Sequence, residues 1–136
     1  MAGDGGVTQP QSKAAVLAAN QAFYDAFESK DFDRVSDLWE HSDRVQCTHP
    51  GWSVLRSWAE VGGAWKALID GPQELQFVLT NERVEVSGDI GWVTVDENIL
   101  GAGQSGTVSA LNMFARQLDG SWKMISHHGS QIMMRS

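Results

Sequence analysis

The sequence predicts an α+β domain in which three N-terminal helices pack on the concave face of a strongly curved, mainly antiparallel sheet. Apolar residues recur at helical spacing up to residue 70, and four long segments with strand character follow residue 74. These segments exceed the usual strand length of ~5–6 residues, and long strands in a small sheet bend around a core. Three amphipathic helices are available to fill that bend.

The helical pattern occupies the first half of the chain. Residues 12–30 place their apolar side chains on one side of a helix, and Asp31 is the predicted N-cap of a second helix with its own apolar stripe. Residues 57–60 have the capping-box pattern that starts a third helix, which Gly71 and Pro72 end. The pair at residues 62–63, two glycines, predicts a close approach by a neighbouring backbone or a ligand.

The strand pattern occupies the second half. A short strand at residues 44–49 leads to a corner at Pro50. Asp119 and Gly120 form a two-residue hairpin signal, and hairpins of this kind join consecutive strands into an antiparallel meander. The four long strands are predicted at residues 75–86, 90–100, 107–118 and 121–134.

Composition and charge exclude several kinds of partner. The 136 residues suit one domain, residues 12–136, after a flexible tail at residues 1–11. The formal net charge is −7 and no basic cluster offers a surface to nucleic acid. No apolar run is long enough to span a bilayer and the start of the chain lacks a signal-peptide pattern, so we expect a soluble, cytoplasmic protein without a membrane partner. The single cysteine, Cys47, excludes an internal disulfide, and we expect it to be a small buried hydrophobe.

Six tryptophans are a heavy use of aromatic residues in so short a chain. A tryptophan-rich core would explain them, and so would a ligand cavity with aromatic walls. The sequence leaves both explanations open. If the cavity exists, its predicted walls are Trp52, Trp58 and Trp65, and the predicted ligand is small and largely apolar or aromatic.

Titratable side chains supply the predicted chemistry of that cavity. His49 ends the short strand on its inner face, and histidine titrates near neutrality. Glu97 shares a strand face with apolar neighbours, so it is either a buried acid or base with a partner or a solvated surface group. His127 and His128 point to opposite faces, and His128 is predicted to face the cavity because it is in phase with Met124. The alternative for His49 is a purely structural hydrogen bond. The alternative for the other two is that one bonds a neighbouring strand and the other faces solvent or a dimer partner.

Asn112, on the strand before the last, is predicted to offer its amide to a ligand carbonyl or to Glu97. A sheet with its other face inward would exchange Glu97 for Asp96 and His128 for His127. No spacing of these groups supports a metal site, so we expect neither a metal nor a cofactor.

Several stretches of the chain, taken in order, match a known family pattern. They resemble the NTF2-like superfamily, and within it the SnoaL-like and ketosteroid-isomerase-like proteins, over roughly residues 12–133. The resemblance implies an NTF2-like or cystatin-like cone and a homodimer that pairs through the open face of the sheet. The stretches are residues 23–39 with Lys30-Asp31-Phe32-Asp33 at their bend, Thr48-His49-Pro50-Gly51-Trp52, Gly88-Asp89-Ile90-Gly91-Trp92-Val93, Asn112-Met113-Phe114 and residues 120–130.

The resemblance also implies where a site would lie. Ketosteroid isomerases place a general-base aspartate before a proline at the end of the first strand, where this chain has His49 before Pro50. The tyrosine that holds the substrate oxyanion in those enzymes corresponds to Phe23, with Tyr24 one residue further on. SnoaL-like cyclases use an acidic group late in the sheet, whereas the last strand here has serine and histidine side chains but no carboxylate.

Two functions follow as alternatives. The first is a pocket or dimerisation domain that binds a small apolar ligand. The second is a cofactor-independent, isomerase-like or lyase-like enzyme, in which His49 is the general base and Glu97 or His128 assists. Asn112 or Tyr24 would then donate a hydrogen bond to developing charge. The fold alone does not separate the two.

Overall fold

The computed structural model describes residues 7–101 and 104–133. These residues form three helices and a six-stranded sheet, which confirms the predicted α+β class. No helix in the described ranges is long and apolar enough to cross a membrane. In chain order the elements are α1 (Gln9–Glu28), α2 (Phe32–Leu38), β1 (Gln46–Thr48), β2 (Leu55–Arg56), α3 (Ser57–Asp70), β3 (Leu75–Ser87), β4 (Ile90–Gly101), β5 (Gln104–Arg116) and β6 (Trp122–Gln131).

The sheet has the strand order β2-β1-β6-β5-β4-β3. Strands β3 to β6 form the predicted antiparallel meander. Strand β1 runs parallel to β6, with Cys47 opposite His127, and the short strand β2, which the sequence did not predict, pairs with β1 at the edge. The parallel pairing places the end of β1 beside the last strand, although Cys47 and His127 are 80 positions apart in the sequence.

The first two helices begin at side-chain caps. Helix α1 begins at Gln9 rather than at residue 12, because the Thr8 hydroxyl accepts from the Gln11 amide while the Gln11 side chain accepts from the Thr8 amide. The predicted tail therefore overlaps the first turn of α1, and residues 1–6 lie outside the described ranges. Helix α2 follows the predicted N-cap, Asp31, whose carboxylate accepts from the Arg34 amide at 3.2 Å.

Helix α3 begins at Ser57 with Arg56 as its N-cap residue, so the predicted capping box between Ser57 and Glu60 does not form. The Glu60 carboxylate accepts from the Arg56 amide at 2.9 Å, whereas Ser57 has a φ of 69° and provides no cap. A Cβ added at Gly62 would lie 2.8 Å from the Trp58 ring. The close approach at this glycine is thus made by the Trp58 indole of the same helix, whereas a Cβ added at Gly63 would meet no atom within 4 Å.

A bulge in β6 sets which side chains face the core. Met113 of β5 pairs with Ser126, whereas the next residue, Phe114, pairs with Met124, so Ile125 is an extra residue in β6. Side chains alternate between the two faces of a strand, so one extra residue exchanges the faces of every side chain that follows it. The half of β6 after Ile125 therefore has the opposite phase to the half before it.

Candidate functional site

An open cavity of about 200 Å³ lies among α1, α3, the end of β1 and the concave face of the sheet. Aromatic and aliphatic side chains form most of its wall, and three side chains of the wall are titratable near neutrality or below. The lining residues are Phe23, Tyr24, Phe27, His49, Pro50, Trp52, Trp65, Leu68, Leu75, Phe77, Glu97, Ile99 and His127.

Glu97 is buried in this wall, which is the first of the two environments that the alternation along β4 left open. Its carboxylate accepts a hydrogen bond from the hydroxyl of Tyr24, which lies on α1. Burial raises the pKa of Glu97 to about 7, and the hydrogen bond from Tyr24 opposes that rise. Burial and the nearby charge of Glu97 together raise the pKa of Tyr24. At neutral pH the Tyr24 hydroxyl is therefore the donor, and the Glu97 carboxyl is divided between its two protonation states.

Asn112 does not line the cavity but contacts side chains that do. It is fully buried, and its Nδ2 donates to Asn20 Oδ1 at 2.8 Å and to the Tyr24 hydroxyl at 3.0 Å. Its Oδ1 lies 2.5 Å from Nδ1 of His127. Asn112 is not among the side chains that line the cavity, and its amide bonds Tyr24 rather than Glu97. The structure thus connects Asn112 to the site through other side chains.

The prediction that His128 faces the cavity is wrong. His128 is exposed, whereas His127 is buried and lines the cavity. The cause is the bulge at Ile125, which ends the phase that His128 would share with Met124. Burial, with repulsion from His49 and His128, lowers the pKa of His127 to about 3, so its ring is neutral at pH 7.

His49 lies in the cavity wall at the end of β1, as predicted. Its ring packs edge-on against Trp65 at 4.7 Å and Trp52 at 4.8 Å between centroids. Burial lowers the pKa of His49 to about 4, so this ring is also neutral at pH 7. The sulphur of Cys47 is 3.5 Å from His49 Nε2, and burial raises the pKa of that thiol to about 12. Cys47 is therefore a buried, protonated thiol that contacts His49 but is not among the residues that line the cavity.

Two of the three predicted tryptophan walls are present. Trp52 and Trp65 line the cavity, and Trp52 stands at its mouth with 47% of its surface exposed. The prediction for Trp58 is wrong, because its ring turns away from the cavity and stacks on His41 at 4.4 Å. Further walls come from phenylalanines of α1 and β3 that helical and strand periodicity assigned only to the core.

Glu97 is the single carboxyl among the lining side chains, and none of them is a lysine or an arginine. No group of three or more histidine, cysteine, aspartate or glutamate side chains in the described part of the chain is placed to hold a metal ion. The wall therefore offers an apolar surface, one acid or base at Glu97, and two neutral imidazoles.

A family model described as the SnoaL-like domain matches residues 16–135. The chain belongs to the SnoaL-like family. Among solved structures, this SnoaL-like chain is similar to a candidate dehydratase of the NTF2-like family from Streptomyces avermitilis, with 38% identity and a TM-score of 0.87 over 93% of this chain and 100% of that one. The predicted membership of the NTF2-like superfamily is confirmed.

Two further structures extend the comparison. A candidate calcium/calmodulin-dependent protein kinase type II association domain from Thiobacillus denitrificans is 30% identical, with a TM-score of 0.72 over 86% of this chain and 94% of that one. A candidate ketosteroid isomerase from Shewanella frigidimarina is 21% identical, with a TM-score of 0.73 over 85% of this chain and 94% of that one, and shares the fold. A comparison with curated protein sequences gives no match.

Proposed function

We propose that this SnoaL-like domain binds a small, largely apolar molecule in its cavity and catalyses proton transfer on it, with Glu97 as the general acid and base. The supporting observation is the place of Glu97, a carboxyl buried in an aromatic wall with the Tyr24 hydroxyl as its hydrogen-bond partner. A buried carboxylate without a cation is costly, and such groups concentrate at functional sites. A pKa of about 7 suits acid–base catalysis at neutral pH.

Glu97 fits the role of base better than His49, the base that the sequence suggested. The pKa of His49 is lowered to about 4, which makes its neutral ring a weak base. In this proposal His49 is a neutral hydrogen-bonding group that orients the ligand. Tyr24 donates to Glu97 and stabilises the ionised carboxylate after the proton has left.

The size and charge of the cavity restrict the substrate. A volume of about 200 Å³ is below the ~300–1,000 Å³ of pockets for drug-sized ligands and above the ~150 Å³ of a cavity that binds benzene. A body of one or two rings fits this volume. An anionic substrate would meet the Glu97 carboxyl without any lysine or arginine on the wall, so we propose an uncharged one.

The relative from Streptomyces avermitilis supports a lyase reaction, because it is named as a candidate dehydratase and is 38% identical. In a dehydration at this site, Glu97 would take a proton from the carbon next to a carbonyl. The C–O bond to the neighbouring hydroxyl then breaks, and the hydroxyl leaves as water with the proton returned by the Glu97 carboxylic acid. The products are an unsaturated carbonyl compound and water.

The test uses 3-hydroxy-1-indanone, an uncharged two-ring β-hydroxy ketone whose dehydration to 1-indenone changes its absorbance. We expect wild-type protein to accelerate the reaction and Glu97→Gln to lose a factor of ~10²–10⁴, the usual contribution of a general acid or base. Asp96→Asn is the matched control, since Asp96 is the neighbouring carboxyl on β4 with its side chain toward the other face. Equal rates for wild-type and Glu97→Gln protein would refute the proposed role.

A second candidate function is binding without turnover, in an assembly domain. It is supported by the Thiobacillus denitrificans relative, which is named as an association domain and is 30% identical. In this case wild-type and Glu97→Gln protein would bind 3-hydroxy-1-indanone, and neither would accelerate its dehydration.

We also propose that the chain forms a homodimer through the outer face of its sheet. Val78 of β3 and Leu100 of β4 support this, because each is an apolar side chain of that face with 50% of its surface exposed. Light scattering on a sizing column should show a dimer for wild-type protein and a monomer for Val78→Lys. A wild-type monomer would contradict this part of the proposal.

A further inference from the structure

A chain of side-chain amides runs from the protein surface to the cavity wall. It begins at Glu82, an exposed carboxylate that accepts from Asn20 Nδ2 at 3.0 Å. Asn20 lies on the buried face of α1, and its Oδ1 accepts from Asn112 Nδ2 at 2.8 Å. Asn112 Oδ1 in turn lies 2.5 Å from His127 Nδ1. Three hydrogen bonds therefore connect a surface charge to a ring that lines the cavity.

The direction of each hydrogen bond in this chain follows from its first member. A carboxylate accepts and does not donate, so Asn20 must turn its NH₂ group to Glu82 and its carbonyl to Asn112. Asn112 must then turn its NH₂ group to Asn20 and its carbonyl to His127. Because a carbonyl only accepts, the proton of the neutral His127 ring must be on Nδ1, and Nε2 must be a bare acceptor.

The same amide sets the direction at Tyr24. Asn112 Nδ2 donates to the Tyr24 oxygen at 3.0 Å, so the hydroxyl proton of Tyr24 is directed to Glu97. One asparagine thus orients two groups of the wall, a donor aimed at the carboxyl and an imidazole presented as an acceptor.

We propose that Asn20 and Asn112 form a clamp that holds His127 as a hydrogen-bond acceptor, and that the ligand presents a hydroxyl or N–H donor to His127 Nε2. The ligand part rests on the proposed function of the cavity. His127 lines the cavity, and its Nε2 has no hydrogen bond to any residue in the described ranges. The substrate class is therefore an uncharged alcohol, phenol or amide rather than a plain ketone or hydrocarbon.

The clamp has a direct readout in the His127 tautomer, which long-range ¹⁵N–¹H NMR reports from the two ring nitrogens. We expect Nδ1–H in wild-type protein. Asn20→Leu and Asn112→Leu should shift the ring toward Nε2–H or a mixture, whereas Asn20→Asp, which keeps an acceptor for Asn112, should retain the wild-type tautomer. Nε2–H in the wild-type protein, or an unchanged tautomer in both leucine variants, would overturn the clamp.

Asn98 provides the matched control for a merely structural effect. It also makes three hydrogen bonds, donating to Val78 O at 2.8 Å and Thr80 Oγ1 at 2.9 Å and accepting from Thr107 Oγ1 at 2.9 Å, but it points to the outer face of the sheet. Asn98→Leu should lower the stability of the protein without changing the His127 tautomer. A change of the His127 tautomer in this variant would show that general loosening of the sheet is enough to alter it, and would overturn the clamp.

The ligand part is tested with 1-indanol and its methyl ether, 1-methoxyindane, which differ by one donor. We expect the alcohol to bind about tenfold more tightly, as one good hydrogen bond allows, and to move the ¹⁵N signal of His127 Nε2. Equal binding of the two compounds, or binding of neither, would overturn the ligand part. If the tautomer is as proposed but 3-hydroxy-1-indanone is not dehydrated, the clamp stands and the proposed catalytic function fails.

Discussion

Two carboxylates of this protein, Glu40 and Glu97, have opposite environments. Glu40 follows α2 at the edge of the fold, and its carboxylate accepts hydrogen bonds from several side chains. These hydrogen bonds, that of Arg44 foremost, lower the pKa of Glu40 to about 2. Its donors are Arg44 Nε at 2.7 Å, Arg44 Nη2 at 2.8 Å, Ser42 Oγ at 2.7 Å and Gln117 Nε2 at 2.9 Å.

Glu97 is more deeply buried, and fewer hydrogen bonds offset the loss of solvation of its carboxylate. Its hydrogen bond comes from the neutral hydroxyl of Tyr24, and burial raises its pKa to about 7. A carboxylate with a structural role is typically paired with a cation and several hydrogen-bond donors, as Glu40 is. Glu97 is kept in an apolar wall where its protonation state can change near neutral pH. This contrast supports the proposed acid–base role of Glu97 and a structural role for Glu40.

The largest effect is expected when the pH dependence of the unfolding free energy is compared between wild-type and Glu97→Gln protein. The folded-state pKa is raised from 4.5 to about 7, so the wild-type protein should lose stability relative to Glu97→Gln as pH rises through that window. The loss of unfolding free energy should reach about 3 kcal/mol, because the pKa rises from 4.5 to about 7 and each pKa unit corresponds to about 1.4 kcal/mol. Urea unfolding of both proteins at about pH 5 and about pH 8 measures it. Parallel stabilities at the two pH values would contradict the buried environment of Glu97.

Removal of the donor at Tyr24 should produce the next largest effect. Tyr24→Phe leaves the ionised Glu97 without its hydrogen bond, so we expect a further rise in the Glu97 pKa and a loss of about 2 kcal/mol at about pH 8. The same substitution in a Glu97→Gln background should cost less, which a double-mutant cycle by urea unfolding detects. A coupling energy of zero would show that the two side chains do not depend on each other.

Glu40 should give the smallest effect and the opposite sign. Its folded-state pKa is lowered to about 2, so its stabilisation is present above the ordinary value of 4.5 and lost as pH falls toward 2. Because Arg44 is largely exposed, Glu40→Gln should cost less than about 1 kcal/mol at neutral pH, and salt should reduce that cost. The dehydration of 3-hydroxy-1-indanone should be unchanged. A loss of turnover in Glu40→Gln would remove the distinction between the two carboxylates.

The fold was predictable because its signals are local. Helical and strand periodicity located the three helices and the four long strands, and Asp31 caps α2 as its sequence position indicates. The parallel pairing of β1 with β6 and the short strand β2 were not predictable, since they depend on contacts between distant parts of the chain. The cap at Thr8 was missed although the residue and its spacing to Gln11 are an ordinary capping-box signal.

The site was predictable only where alternation is unbroken. His49 lies in the wall as predicted, and Glu97 lies on the predicted strand face, because no irregularity separates them from the apolar neighbours on β1 and β4 that set their phase. His128 was misplaced because the bulge at Ile125 arises from pairing with β5 and leaves no mark in the sequence of β6. Asn20 was missed despite a usable signal, since it lies four residues from Val16 and four from Tyr24 on the buried stripe of α1.

The most direct test of the assignment is the titration of the Glu97 side-chain carboxyl, followed by ¹³C NMR in glutamate-labelled protein and identified by its absence in Glu97→Gln. We expect a midpoint near 7 for Glu97, while Glu40 remains ionised down to about 2. A Glu97 midpoint at or below the ordinary value of 4.5 would show a carboxylate that is solvated or fully paired, and would contradict its proposed role as the acid and base of the cavity.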